Sequence, residues 1–94
     1  MMAIGFELRD EQGGLVKSGG SIDGTQLPPY RDPRYPHLGL VDPYGDTMFG
    51  RYQMVAVLPE LEAWSVERPS DEIAALLALA RKCGLHEYLW FIGD

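Results

Sequence analysis

Residues 86–92, HEYLWFI, form the stretch that decides the fold of this 94-residue chain. Side chains alternate between the two faces of a β-strand, so Tyr88 and Trp90 point one way and Leu89 and Phe91 the other. Both faces are therefore apolar. Such a strand is expected to be central in a sheet, or to have its open side covered by helices or by a second subunit. A homodimer through this C-terminal strand is one assembly that the pattern predicts.

Further strands are predicted upstream. Residues 3–9 (AIGFELR) alternate apolar and other side chains, which indicates a half-buried strand. Residues 10–14 (DEQGG) are typical of a turn, so residues 15–18 are expected to return as the second arm of a hairpin. Residues 37–42 (HLGLVD) are a short apolar candidate for a third strand.

Residues 53–67 allow two interpretations. Apolar side chains recur at helical spacing from Met54 to Trp64, which predicts a helix that begins near Met54. That helix is expected to bend at Pro59, because proline costs about 3 kcal/mol in a helix interior. Alternatively, residues 52–57 form a strand and Pro59 begins a shorter helix. We favour the bent helix.

A second helix is predicted after Ser70, which is a favourable N-cap residue. Ile73, Leu76 and Leu77 fall on one face of this helix, and Gly84 is expected to stop it. The order strand, strand, loop, strand, helix, helix, strand predicts an α+β fold. Its form is a small two-layer sandwich with a mainly antiparallel sheet and two helices on one face.

The whole chain, residues 1–94, is expected to form a single domain. Residues 19–37 contain four prolines and three glycines and few aliphatic side chains, which indicates a long loop. Tyr30 and Tyr35 can anchor this loop to the rest of the protein, so we predict that it is ordered.

The composition excludes several classes of function. Fourteen Asp and Glu residues against eight Lys and Arg give a net charge of −6, which repels nucleic acid and anionic membrane surfaces. No apolar stretch approaches the ~20 residues that cross a bilayer. The single cysteine and the absence of a signal-peptide pattern predict a cytoplasmic protein, or one whose export signal this chain lacks. The charge suits a basic protein partner, or is simply that of a solvated acidic surface.

No candidate for catalytic or metal chemistry emerges from the residue types. Zinc requires about four Cys, His or carboxylate ligands at a suitable spacing, which this sequence lacks. Asp42 and Asp46 are not accompanied by the further ligands of a calcium loop. Cys83 is three residues from His86, but a thiolate is disfavoured at the C-terminal end of a helix. We therefore predict no catalytic residue, no metal and no cofactor, and we favour a protein without enzymatic activity.

The segment VDPYGDT (41–47) has the residue types of a tight turn. Asp42 can accept hydrogen bonds from amides two residues further on, and Pro and Gly suit the following positions. Asp46 or Thr47 is expected to cap the element that follows. Tyr44 at the turn tip has no comparable structural role, so it is the better candidate for contact with a partner.

A set of tyrosine and arginine side chains is left for recognition. These residue types are over-represented at interface hot spots, and prolines stiffen the loops that carry them. The predicted partner-binding residues are Tyr30, Arg31, Arg34, Tyr35, Tyr44 and Arg51. In the competing interpretation, Tyr30 and Tyr35 pin the loop onto the protein. Arg31 and Arg34 then pair with nearby aspartates.

The segments DPYGDTMFGRYQM (42–54) and YLWFIGD (88–94) resemble a pattern in small uncharacterised bacterial proteins. In that pattern a D-x-Y-G-D-T-x-F stretch leads into a helix, and the chain ends in an aromatic strand followed by Gly-Asp. The resemblance implies a helix after Tyr52 and brings no activity with it. Many bacterial immunity proteins, which neutralise a partner toxin, are small and acidic in the same way.

Two functions follow as hypotheses. The leading one is a non-enzymatic acidic protein-binding module, such as a bacterial immunity or regulatory protein that neutralises a basic partner. The alternative is a small-molecule-binding protein or a small enzyme whose pocket lies under the 19–37 loop. Asp42, Tyr44 and Asp46 would then stand at the mouth of that pocket. A deep cavity would favour the alternative, and a flat acidic face would favour the binding module.

Overall fold

The structure is a computed structural model and describes residues 3–93, so Asp94 of the closing YLWFIGD motif lies outside the described residues. Strands form where the sequence alternates, and helices form where apolar side chains recur every three or four residues. The strands are β1 (Ala3–Asp10), β2 (Leu15–Asp23), β3 (Asp46–Phe49) and β4 (Glu87–Ile92), and the helices are α1 (Arg51–Glu67) and α2 (Asp71–Ala80).

The final strand, β4, lies between β1 and β3 in a four-stranded antiparallel sheet with the order β2-β1-β4-β3. Phe91 pairs with Phe6 of β1 on one side and with Thr47 of β3 on the other. The predictions of an internal final strand and of an α+β fold are confirmed. Because both backbone edges of β4 are occupied, a homodimer cannot form by edge pairing of this strand. It would have to use side chains instead.

The two faces of the sheet have different surroundings. One face, which carries Ile4, Phe6 and Phe91, is buried together with the apolar side chains of α1 and α2. Burying each such side chain stabilises the fold by about 1.5–3 kcal/mol. The other face, which we call the open face, carries the half-buried Trp90 and the exposed Met48, paired across β4 and β3. The strongly apolar character of β4 is therefore explained by the core on one side only.

The first helix begins at Arg51, three residues before the predicted start. The side-chain oxygen of Gln53 accepts a hydrogen bond of 2.9 Å from the Gly50 amide, which satisfies a donor left free at the helix start. Met54 and Trp64 belong to its buried stripe, which packs into the core. The helical interpretation is confirmed, and a strand over residues 52–57 is wrong.

Pro59 lies inside α1 without ending it. Proline has no N–H to donate to the Val55 carbonyl, four residues earlier. Val55 is 77% exposed, so this turn of the helix faces solvent and water can hydrate the carbonyl that proline leaves free. The exposed position explains why the helix continues through a residue that normally breaks it.

The second helix begins as predicted and ends earlier. The Ser70 hydroxyl accepts a hydrogen bond of 3.1 Å from the Ile73 amide, which is the expected N-cap. The α-helix ends at Ala80, before the predicted stop at Gly84, because the chain tightens into a turn in which the Lys82 amide donates to the Leu79 carbonyl.

The predicted loop over residues 19–37 begins later than expected, because β2 continues to Asp23. Ile22 pairs with Ile4 of β1 and is buried in the core. Gly19 is not a loop residue here. A Cβ at this position would collide with the Phe6 carbonyl, so glycine is required for close approach of the two strands.

The third strand was predicted at residues 37–42, and this is wrong. Residues 38–40 form a 3-10 turn, and β3 forms further on, at Asp46–Phe49. Leu38 and Val41 are buried, so their apolar character reflects packing of a loop against the core. The connection between β2 and β3 therefore runs from residue 24 to residue 45, and we call it the long loop.

Candidate functional site

Two carboxylates of α1 hold the long loop against the body of the protein. The first is Glu67, in the last turn of the helix. Its Oε2 accepts a hydrogen bond of 2.6 Å from the Tyr35 hydroxyl, and its Oε1 lies 3.1 Å from Arg34 Nη1. The Tyr35 ring packs edge-on against Trp64, with centroids 5.3 Å apart. These contacts fix the middle of the long loop.

The second carboxylate is Glu60. Its Oε1 accepts hydrogen bonds of 3.0 Å from the backbone amides of both His37 and Leu38. Its Oε2 lies 2.7 Å from His37 Nδ1. Glu60 and Glu67 are seven residues apart and so lie on one face of the helix. Together they fasten the long loop to α1 at two points.

The hydrogen bonds at the first point set the ionisation of the groups involved. The Tyr35 hydroxyl holds the pKa of Glu67 below its ordinary value, and the bond to Glu67 in turn raises the pKa of Tyr35. Asp32, which receives hydrogen bonds from the side chain and the backbone of Arg34, also has a lowered pKa. Both carboxylates are therefore ionised at neutral pH, when the contacts are complete.

The backbone of the long loop folds closely on itself. Arg31 has a φ of 64°, in the left-handed region that bulky residues rarely occupy. Its amide donates a hydrogen bond of 2.8 Å to the Gly39 carbonyl. A Cβ at Gly39 would lie 3.0 Å from the Asp32 amide nitrogen, so glycine permits this close approach. The strained Arg31 is held by its surroundings.

The predicted turn at residues 42–45 is present. Asp42 Oδ1 accepts a hydrogen bond of 2.8 Å from the Tyr44 amide. The Asp42 amide donates a hydrogen bond of 2.9 Å to the hydroxyl of Thr47, which closes the turn from the other side. Asp46 is the first residue of β3, opposite Ile92, and it caps no helix, because α1 begins only at residue 51. Thr47 likewise caps no helix, and its hydroxyl closes the preceding turn at Asp42 instead.

The structure separates the six predicted partner-binding residues into groups. Tyr30 and Tyr44 project from the long loop with 64% and 71% of their surface exposed. The Arg31 guanidinium lies over the Tyr30 ring, 5.8 Å from its centroid. Tyr35 is only 6% exposed and belongs to the core, so little of its surface is available to a partner. For Tyr35 the competing interpretation, that it pins the loop, holds.

The two other arginines lie apart from Tyr30. Arg34 is engaged by Asp32 and Glu67, each at 3.1 Å. Arg51 is the first residue of α1, and its guanidinium lies 5.3 Å from the centroid of the Tyr52 ring. Tyr30, Arg31 and Tyr44 thus remain as the candidate contact residues of the long loop.

A cavity of about 560 Å³ lies between the long loop and the beginning of β1. Ile4, Leu27 and Val41 contribute to its apolar wall, and Asp23 and Tyr30 are also among its lining residues. A separate depression of about 390 Å³ lies at the start of α1 and includes Arg51 and Tyr52 among its lining residues.

The described part of the chain offers little reactive chemistry. Within residues 3–93, no three His, Cys, Asp or Glu side chains are grouped so that they could hold a metal ion. Burial raises the pKa of the Cys83 thiol, which keeps it protonated and weakly nucleophilic at neutral pH. No helix among these residues is long and apolar enough to cross a membrane.

Glu60 and Glu67 were not predicted as functional or structural residues. A carboxylate in the last turn of a helix is disfavoured by the helix dipole, so the position of Glu67 is the one sign in the sequence that this residue has another role.

Comparisons of the chain with protein-family models, with curated proteins and with solved structures find no match. Its function is therefore inferred from the geometry of the long loop.

Proposed function

We propose that this protein is a non-enzymatic binding module that holds a basic protein partner through the long loop. A bacterial immunity or regulatory protein, which neutralises its partner by occupying it, is the leading form of this proposal. The observation that carries it is the exposure of Tyr30 and Tyr44 on a loop that Glu60 and Glu67 fasten to α1. Tyrosines of this kind supply large contact areas and a hydrogen-bonding group.

Fixing the loop in advance supports this role. Immobilising a flexible side chain or loop at an interface costs about 0.5–1.5 kcal/mol per side chain. The two carboxylates, the Arg31–Gly39 hydrogen bond and the turn at Asp42 meet that cost during folding rather than during binding. A partner therefore finds the loop already in one conformation.

Charge supports a basic partner. The chain has a net charge of −6. On and beside the long loop, Arg34 is neutralised by two carboxylates. Among residues 3–93, Asp23, Asp42 and Asp46 form no ion pair, and neither does Arg31, so unpaired carboxylates outnumber the unpaired guanidinium on this surface. Unpaired carboxylates steer a basic partner toward this surface and raise its association rate.

Site-specific photo-crosslinking tests this proposal. A photoreactive phenylalanine analogue is placed at Tyr30, at Tyr44 and, as the control, at Tyr52, which is exposed on α1. We expect the first two positions to capture one and the same basic protein and the control position not to capture it. Purified with that protein, Tyr44→Ala should weaken binding about tenfold or more without lowering the melting temperature. Equal capture at Tyr52 would contradict the assignment of the surface.

The second candidate function is a small-molecule-binding protein or a small enzyme, and the cavity beside the long loop favours it. Its volume of about 560 Å³ lies within the usual range for ligand sites, about 300–1,000 Å³. Asp42 and Tyr44 flank Pro43 of its lining, close to the predicted mouth. A neutral metabolite that raises the melting temperature of the wild type, but not of Thr25→Trp at an exposed residue of the lining, would favour this candidate.

Two further proposals concern the setting of the protein. We propose a cytoplasmic location, which the single cysteine supports. We also propose that a homodimer, if the protein forms one, uses the open face, because both edges of β4 are paired. The indole N–H of Trp90 on that face is buried and has no acceptor in the described part of the chain.

A further inference from the structure

We infer that the cavity beside Asp23 receives a lysine or arginine side chain of the partner, with the aliphatic stem against the apolar wall and the cation at the Asp23 carboxylate. This inference rests on the proposed function, because it names the group by which the basic partner is held. Ile4, Leu27 and Val41 form the wall that would contact the stem. All three side chains are buried from other sides, so the wall is fixed by the core.

The Asp23 carboxylate is positioned by the fold and retains one oxygen for a ligand. Its Oδ1 accepts two hydrogen bonds of 2.9 Å, from the amide and from the hydroxyl of Thr25. These two bonds leave Oδ2 unused, and the carboxylate as a whole caps the 3-10 turn at residues 24–26. The two bonds from Thr25 lower the pKa of Asp23, so it carries its charge at neutral pH. An anion at the edge of an apolar cavity favours a cation with an apolar stem.

Other side chains fit this cavity less well. A purely apolar side chain would cover the Asp23 carboxylate without pairing it, which is costly. An acidic side chain would be repelled. Tyr30 also lines the cavity, and its ring offers further apolar surface to the stem of the side chain. Only lysine and arginine combine a long apolar stem with a permanent positive charge.

Two blocked tripeptides test the inference directly. Acetyl-Gly-Lys-Gly-amide and acetyl-Gly-norleucine-Gly-amide are titrated into the isotope-labelled protein, because norleucine keeps the stem and lacks the ammonium group. We expect the lysine peptide to shift the amide resonances of Gly24, Thr25 and Leu27, and the norleucine peptide to bind several-fold more weakly. Raising the salt concentration should weaken the binding of the lysine peptide and leave that of the norleucine peptide unchanged. Equal binding of both peptides would overturn the inference.

Asp23→Asn is the matching variant, because the amide oxygen of asparagine can still accept the hydrogen bonds from Thr25. This variant should lower the affinity for the lysine peptide about threefold to fivefold, as expected for a partly exposed charge pair. Glu11→Gln makes the same change in charge at the other end of β1, in the turn after Asp10, and should have no effect. Equal losses in both variants would mean a general effect of net charge and would contradict a site at Asp23.

Free hexylammonium distinguishes the source of the cation. If it shifts the same resonances and the lysine peptide does not, the occupant is a small free amine and the proposed docking of a partner side chain is wrong. The photo-crosslinking result is independent of this titration. Capture of a partner at Tyr44 without binding of the lysine peptide would overturn this inference alone. Binding of the lysine peptide without capture would remove the proposed partner and leave a cation site.

Discussion

At the scale of single residues, one hydroxyl holds the turn that presents Tyr44. The Thr47 hydroxyl accepts a hydrogen bond of 2.9 Å from the Asp42 amide. Asp46 is the first residue of β3 and takes no part in this bond. We expect Thr47→Val, which keeps the shape and the strand propensity, to lower the free energy of unfolding by about 0.5–1 kcal/mol. Asp46→Ala should stay within about 0.5 kcal/mol of the wild type. Urea denaturation measures both, and the reverse order would restore Asp46 as the structural residue.

The contact between Tyr35 and Glu67 predicts a dependence of stability on pH. The folded pKa of Glu67 is lowered from its ordinary 4.5, so its contribution is complete above that value and is lost as the pH falls through the folded pKa. The pKa of Tyr35 is raised from 10.0, so its contribution is complete below that value and is lost as the pH rises further. The contact therefore stabilises the fold between these two limits.

Tyr35→Phe removes this contact and keeps the ring against Trp64. We expect it to lower the free energy of unfolding by about 1–2 kcal/mol at pH 7, since it breaks a hydrogen bond to a charged group. The difference from the wild type should shrink as the pH falls from 4.5 through the lowered folded pKa of Glu67, because Glu67 is protonated in both proteins below that point. Urea denaturation across this pH range measures it. A difference that does not change with pH would mean that packing, rather than the carboxylate, is responsible.

At the scale of elements, periodicity was sufficient where side chains follow one regular pattern. The alternation in residues 3–9 and 86–92 and the helical spacing after Ser70 predicted β1, β4 and α2. It failed where the pattern has another cause. Gly19 looks like part of a loop but provides close contact between strands, and Leu38 looks like part of a strand but fills the core from a turn.

The candidate site shows the same division. Exposed tyrosines could be proposed from residue type, since the turn at 42–45 places Tyr44 at its tip. The hydrogen bonds by which Glu60 and Glu67 hold the long loop could not be predicted, because they join residues more than twenty positions apart. Local spacing contains no information on such contacts. The same limitation explains why the buried Tyr35 was grouped with the exposed Tyr30.

Pro59 provides a prediction at this scale. Replacing it with alanine restores a donor for the Val55 carbonyl. Proline is also about 3 kcal/mol less favourable than alanine in a helix interior. Greater entropy of the unfolded chain offsets about 0.4–1 kcal/mol of this gain. We expect Pro59→Ala to raise the free energy of unfolding by about 2–2.5 kcal/mol in urea denaturation, with Val55→Ala as a near-neutral control on the same exposed turn. A loss of stability would mean that the core requires the proline.

At the scale of the whole molecule, the helices cover one face of the sheet and leave Trp90 and Met48 on the other. Arg9 lies over the Trp90 ring, 4.3 Å from its centroid, and Arg9 Nε is 2.6 Å from Glu7. Six residues of β4 and four strands give the open face a footprint of about 20 × 19 Å, from the usual strand spacings. Its projected area of about 380 Å² is small for an interface that has to bury ~800 Å² of accessible surface on each partner.

The size of the open face therefore predicts a weak homodimer at most. We expect sedimentation equilibrium to show monomers at about 10 μM and partial dimers only at several hundred μM, as for small transient interfaces. Met48→Glu places a charge beside Trp90 on the open face and should abolish the dimer. Val66→Glu, on the exposed side of α1, is the control and should leave it unchanged. If the protein is dimeric at 10 μM, or if both variants dissociate it equally, the interface lies elsewhere, because a face of this size cannot hold two chains tightly.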